Sequence, residues 1–282
     1  MKDFYLLTET HWVYCYLTSK WIENFDGLPN FQGILVRENM PSKKILRQRE
    51  SFHNKYAGQK QLTHEMEGIL RELYPKLDEM EKALISLFGV PPYSTTQYSK
   101  TTFLTNNLNG VYAKNWLTKT CQNASSLFFV SVTQILKPWW IKMAKSHLLN
   151  CHPAVLPYAR GRCCIEQIAI QKDINQFKKV TGATIHYIDE GVDTGPIIRA
   201  ERIVNPFCFN SIWEVKGYTF VTGFDLYVKT AKDILSNTET LPAGIVPNPN
   251  LYGSQFLLKN FTPDKHKQAE EGYLSMKLKE SE

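Results

Sequence analysis

At 282 residues, with 43% hydrophobic and 21% charged residues, the chain has the composition of a folded globular protein able to bury a large core. Its 33 basic and 27 acidic residues leave a net charge of +6 with no long block of like charges, which argues against nucleic-acid and membrane partners and leaves an anionic substrate open. No apolar run reaches the length of a transmembrane helix, and Asp3, Glu9 and His11 interrupt the apolar start, so neither a membrane span nor a signal peptide is expected.

The six cysteines contain no C-x-x-C pair, and the only close pair, Cys163 and Cys164, is adjacent. Free thiols in a reducing cytoplasm are the expected state. In chain order, DFYLLT suits a buried first strand, residues 12–21 a helix, and FQGILV a second strand. The polar stretch 38–59 reads as loop with some helix. Leu70, Leu73, Leu77, Met80, Leu84 and Leu87 recur at three and four residues, as one amphipathic helix or a pair broken near Pro75 requires. The Pro-, Thr- and Asn-rich segment 90–110 reads as a long surface loop.

SLFFVSV has the aromatic and β-branched content of a central parallel strand, and Pro138 is placed to open a helix over 139–145. LLNCH is the next strand, residues 162–172 a helix, and GATIHYID and GPIIRAERI two more strands. A long helix is expected over 211–235, then an irregular tail with a surface helix over 264–279. Strands alternating with helical patterns predict an α/β fold with a mainly parallel sheet.

Ligands of open α/β sheets lie beyond the carboxyl ends of the strands. Asn150 and His152 sit at such an end, where period-two alternation turns them the same way and Cys151 the other. Pro153 then stops the ladder. Thr184 and His186 alternate on a second strand, and the loop DEGVDTGP carries Asp189, Glu190 and Asp193 between turn glycines. Asp193, folded back over the crevice, would raise the pKa of His152 by opposing charge. Taken singly, His152 also fits a structural hydrogen-bonder, Asn150 a turn cap and Asp193 a turn acid. The spacing of Cys151, His152, His186 and Asp193 fits no familiar zinc pattern, so no metal is expected.

N-x-H-P-x-x-L-P, matched by Asn150, His152, Pro153, Leu156 and Pro157, is followed by G-x-T-x-H and D-x-G-P, matched by Gly182, Thr184, His186, Asp193, Gly195 and Pro196. The pair resembles the family of formyltransferases that use N10-formyltetrahydrofolate, over about residues 127–203. The resemblance implies a Rossmann-like catalytic domain over 1–205, with a helical and loop insertion at about 40–125. Residues 206–282 would pack on it as a C-terminal helix and tail. It implies a catalytic triad of Asn150, His152 and Asp193 and a folate co-substrate. The folate would lie between Thr133, Leu136 and Ile141 on one side and the backbone of Tyr187, Ile188, Asp189, Glu190 and Gly191 on the other. Asn150 and His152 would donate to the oxygen that gains charge as an amine attacks the formyl carbon, and His152 would carry the proton.

The acceptor would be a small-molecule amine. The segments AVLPYARG and DEGVDTGPIIRAERIV look most like the siderophore-pathway enzymes acting on N5-hydroxyornithine. A nucleotide-linked amino sugar is the alternative, and glycinamide ribonucleotide transfer and formyltetrahydrofolate hydrolysis are the further ones. TETHWVYCYL, after the first strand, has no glycine with which to wrap a phosphate in backbone amides. No motif names the acceptor pocket, and none speaks to oligomeric state.

Overall fold

A computed structural model describes residues 3–74, 77–121, 126–145, 147–236 and 241–282. The chain divides into two units, residues 1–150 with 231–241, and residues 151–230 with 242–282. The division falls inside a strand at 150.

In the first unit, β1 (Phe4–Glu9), β2 (Phe31–Arg37), β3 (Thr101–Phe103), β4 (Leu127–Val130) and the start of β5 (Leu148–His152) lie in the order β3-β2-β1-β4-β5. Every pairing among them is parallel. β1 and β4, at the centre, are largely apolar and buried, as strands are when helices cover both faces of such a sheet. Phe4 is wholly buried and packs edge-on against Trp21 and Phe25 of α1 (Val13–Phe25), stacks on Phe31 of β2 at 5.2 Å, and meets Phe129 of β4 at 6.2 Å.

Residues 38–59, read as loop with some helix, contain α2 (Lys43–Tyr56), which takes up most of the segment. Its sequence is too polar to show a strong stripe, but the Ser42 hydroxyl accepts the Ile45 N–H and caps its start. The leucine-rich stretch is a pair of helices, α3 (His64–Leu73) and α4 (Glu79–Phe88), the second opened by a reciprocal Asp78–Glu81 capping box. Pro75, where the break was expected, lies outside the described residues. Buried polar groups knit this insertion: His53 contacts the Pro91 carbonyl at 2.6 Å and the Tyr74 hydroxyl at 2.7 Å. Arg49 forks onto Glu38 with two 3.1 Å bonds. The expected loop over 90–110 contains β3, and α5 (Val111–Cys121) follows it. α6 (Pro138–Met143) opens at Pro138 as expected.

In the second unit, β6 (Ala159–Gly161) pairs with β9 (Ser254–Phe256), and β7 (Gly182–Tyr187) runs antiparallel to β8 (Ile197–Arg202). α7 (Cys164–Gln171), α8 (Ile174–Val180) and the start of α9 (Ile212–Ser236) surround them. The last helix, α10 (Pro263–Glu280), is no free surface helix. It docks on α7, burying Ala269, Gly272, Tyr273 and Met276, and the Tyr273 hydroxyl donates to the Pro206 and Phe209 carbonyls at 3.1 and 2.8 Å. The fold is therefore the α/β class expected, with a mostly parallel central sheet and flanking helices.

Candidate active site

β5 carries Asn150 and His152 to its carboxyl end as the sequence predicts, with the Cys151 side chain between them turned the other way. The Cys151 sulfur fills the space over Gly223 of α9, where an added Cβ would lie 2.5 Å from it. Burial pushes that thiol well above its ordinary pKa, so it packs as a small neutral hydrophobe.

Beyond His152 the chain turns sharply and is tied down by Thr184 of β7. The Thr184 hydroxyl accepts the Leu156 N–H at 2.9 Å and donates to the Ala154 carbonyl at 2.9 Å. The Val155 N–H donates to Val180 at 2.9 Å. The turn returns as β6, which brings two backbone groups to the site. The Ala159 carbonyl lies 3.1 Å from His152 Nε2, and the Gly161 N–H donates to Asp193 Oδ2 at 2.8 Å. Gly161 has φ 92°, and a Cβ there would meet the Phe256 carbonyl of β9 at 2.0 Å, so only glycine brings its amide this close.

Asp193 does fold back onto His152. Its Oδ2 is 3.5 Å from His152 Nδ1 and its Oδ1 is 3.6 Å from His186 Nε2. The residue sits in the left-handed region at φ 53°, a conformation Asp tolerates better than most side chains. His152 is 4% exposed and the Asp193 side chain 14%. Each imidazole faces two acceptors, a carbonyl and Asp193, since His186 Nδ1 lies 2.8 Å from the Tyr187 oxygen.

Electrostatics corrects one expectation. Burial lowers the His152 pKa below its ordinary 6.5, and the nearby His186 lowers it further; Asp193 and the Ala159 carbonyl raise it without overcoming burial. The expected push from Asp193 is present, but desolvation wins. For Asp193 the balance is opposite. Burial alone would raise its pKa, yet His152, His186 and the Gly161 N–H together hold it well below the usual carboxylate range.

Of the residues expected around a folate, Thr133, Leu136 and Ile141 fall in the first unit. Thr133 follows β4 with its amide and hydroxyl both on the Glu9 carboxylate, Leu136 is buried, and Ile141 is half-buried on α6. Tyr187, Ile188, Asp189, Glu190 and Gly191 fall in the second unit, in and after β7. The Asp189 carboxylate accepts the Gly191 N–H at 3.1 Å and the Thr194 hydroxyl at 2.8 Å, which shapes the loop, while Glu190 and Gly191 are exposed. The Tyr187 hydroxyl donates to Pro242 at 2.6 Å.

Sequence reasoning missed Ala159, Gly161 and Cys164. The first two act through backbone atoms that no side-chain motif reveals. Cys164, at the start of α7, places its sulfur 3.7 Å from His152 Nε2. No group of three or more possible metal ligands occurs among the described residues, and no described helix is long and apolar enough to cross a membrane.

Residues 112–204, about a third of the chain, match the formyl transferase family profile, and Asn150, His152 and Asp193 lie inside that segment. Over 56 residues the chain is 43% identical to phosphoribosylglycinamide formyltransferase of Bacillus subtilis, covering 20% of this chain and 26% of that protein. Its alignment to the trifunctional purine biosynthetic protein adenosine-3 of Chironomus tentans spans 6% of that much longer protein. Thus the chain matches less than a third of the length of these relatives. Among solved structures, a 4-N formyltransferase from Francisella tularensis superposes with a TM-score of 0.53 at 16% identity, covering 96% of this chain and 87% of that one. A sugar N-formyltransferase from a Shewanella species gives 0.52 at 13% identity, covering 95% and 86%. At such identities the superpositions speak to the fold, which is the one described above.

Proposed function

We propose that the chain is an N10-formyltetrahydrofolate-dependent N-formyltransferase in which Asn150, His152 and Asp193 carry the chemistry. The observation that carries this reading is a buried histidine at a strand's carboxyl end whose two ring nitrogens face a carboxylate and a carbonyl, inside the segment that matches the family profile.

The donor set suits a co-substrate bound partly through backbone. Asp189 and Thr194 hold the loop after β7 in shape by bonds within the loop, which suits it to meet a ligand through backbone groups. Thr133, Leu136 and Ile141 in the first unit, and separately the backbone of Tyr187 to Gly191 in the second, are the folate contacts that the resemblance assigns. When bound, the folate supplies the formyl carbon.

The chain's own groups then divide the work. Asp193, the charged partner, draws the single N–H of neutral His152 to Nδ1 and leaves the Nε2 lone pair to take a proton from the attacking amine. Nε2 then gives that proton to the folate nitrogen as the bond from it to the formyl carbon breaks and the formyl group stays on the amine. While charged, the ring is stabilised by Asp193 at Nδ1 and by the nearby Ala159 carbonyl. At rest, burial keeps the ring neutral, which is the form a base needs. The 3.5 Å separation from Asp193 is longer than a strong hydrogen bond, as is common before substrate binds. Asn150, two residues earlier on β5, offers its amide N–H to the oxygen on which charge develops. Asp193 receives the Gly161 amide and His186 as well, which keeps it ionised and aimed.

For the acceptor, the name of the Shewanella protein, a sugar N-formyltransferase, favours an amino sugar, and a sugar 3N-formyl transferase solved in the presence of dTDP favours a nucleotide-linked one. N5-hydroxyornithine rests on the resemblance of two short segments, and glycinamide ribonucleotide on the Bacillus relative.

The test is tetrahydrofolate release from 10-formyltetrahydrofolate, followed spectrophotometrically with no amine, then with a dTDP-amino sugar, N5-hydroxyornithine and glycinamide ribonucleotide. Release that depends on an amine is expected, first with the amino sugar. Release without any amine would make the chain a hydrolase, and silence joined to no binding of a folate analogue would overturn the reading.

A further inference from the structure

The strand order of the first unit reverses between β1 and β4, the place where open α/β sheets leave a crevice for a ligand. β1 ends in Glu9 at that position, and the chain leaving β4 brings Thr133 opposite it. Thr133 donates its backbone N–H to Glu9 Oε1 at 2.6 Å, and its hydroxyl lies 2.9 Å from both carboxylate oxygens. From the end of β2, Arg37 donates through Nη1 to Glu9 Oε1 at 2.7 Å and to the Thr133 hydroxyl at 3.0 Å, while its Nε donates to Asn106 at 2.9 Å. His11 Nε2 stands 3.5 Å from Glu9 Oε2. The Glu9 side chain is 3% exposed.

A backbone amide, a hydroxyl, a guanidinium and an imidazole converging on one point are the components of an anion receptor. We infer that the crevice at this switch point carries its own anion, the Glu9 carboxylate, and thereby excludes phosphate there from any acceptor the chain takes. A phosphate would have to displace a buried carboxylate from every donor it uses or sit against it as a like charge. The acceptor therefore meets this crevice through a neutral or cationic group, and an acceptor that bears phosphates has them held elsewhere. In naming an acceptor class the inference rests on the formyl-transfer reading; the cradle itself does not.

The experiment uses inorganic phosphate as the probe, by calorimetry and phosphorus NMR, on the full chain without folate or amine. Wild type is expected to show no saturable binding that Arg37→Ala removes. Glu9→Ala frees the donors and should bind phosphate about tenfold or more tightly than wild type. Adding Arg37→Ala to it should abolish the gain. Glu9→Gln, which keeps the space filled, should show none. A folded Glu9→Ala protein with no gain would overturn the inference, as would Arg37-dependent phosphate binding by wild type. If Glu9→Ala does not fold, the wild-type and Arg37→Ala titrations decide alone, lack of Arg37-dependent binding upholding it. Failure of the formyl-transfer reading would appear instead as silence in the folate assay, with the phosphate result unchanged.

Discussion

His152 and Asp193 show one contact with two outcomes: it loses to burial at His152 and, with other partners, prevails over burial at Asp193. Asp193 is kept ionised by its partners, while His152 is kept neutral by burial in spite of Asp193. Since the His152 pKa is lowered from 6.5, the acid limb of kcat/KM is expected below that pH. Activity falls as pH drops through the folded pKa and the ring becomes charged. Asp193→Asn tolerates the same left-handed backbone but removes the charge that favours the cation. In this variant kcat/KM should fall roughly a hundredfold or more, and the acid limb should move further down in pH, not up. The pH profile checks this directly: a limb that moves to higher pH, or a variant as active as wild type, would show that Asp193 does not act through the imidazole.

At the scale of elements, sequence legibility follows the physics of each segment. β1, β2, β4 and β5 were readable because buried parallel strands are continuous apolar runs, and α9 because its apolar positions span many turns. α2 was not, because its signal lies in one capping serine and in buried Arg49 and His53, whose partners come from distant residues. β3, β6 and β9 are three residues each, too short for periodicity. The order of Asn150, His152 and Asp193 was legible in side chains, whereas the Ala159 carbonyl and Gly161 amide that complete the site were not. α10 looked like a surface helix because its apolar positions are few. Its docking depends on Gly272, where a Cβ would lie 2.1 Å from the Ala169 carbonyl of α7. Gly272→Val should therefore push the two helices apart and cost about 1–3 kcal/mol, seen as a lowered Tm. An unchanged Tm would mean that α10 is held by Tyr273, whose hydroxyl bonds the Pro206 and Phe209 carbonyls, and not by its close approach to α7.

For the molecule as a whole, both units carry groups that resist acid in the same direction. In the first unit, His53 is lowered from 6.5 to about 4 because burial opposes its charge, and Arg49 adds to this, while its bond to the Pro91 carbonyl works against it. Trp12 stacks on the ring at 5.3 Å and the Tyr74 hydroxyl bonds its far nitrogen. Between pH 4 and 6.5 the unfolded chain binds a proton at this residue that the folded chain does not, so stability rises with pH across that window and is level above it. A shift of that size corresponds to about 3 kcal/mol lost on going from the upper to the lower end. In the second unit, His152 must also stay neutral below 6.5, and the stability contributed by ionised Asp193 is lost only as pH falls through its depressed folded pKa. Calorimetric Tm should therefore drop steadily from pH 6.5 to 4.5 and change little from 6.5 to 8 on account of these groups. His53→Gln should lower Tm at pH 7 yet flatten its dependence on acid, since an amide cannot take up the proton that unfolding releases the ring to bind. A variant with the wild-type slope would place the acid sensitivity in the second unit, with His152, and leave His53 only its role in packing the insertion.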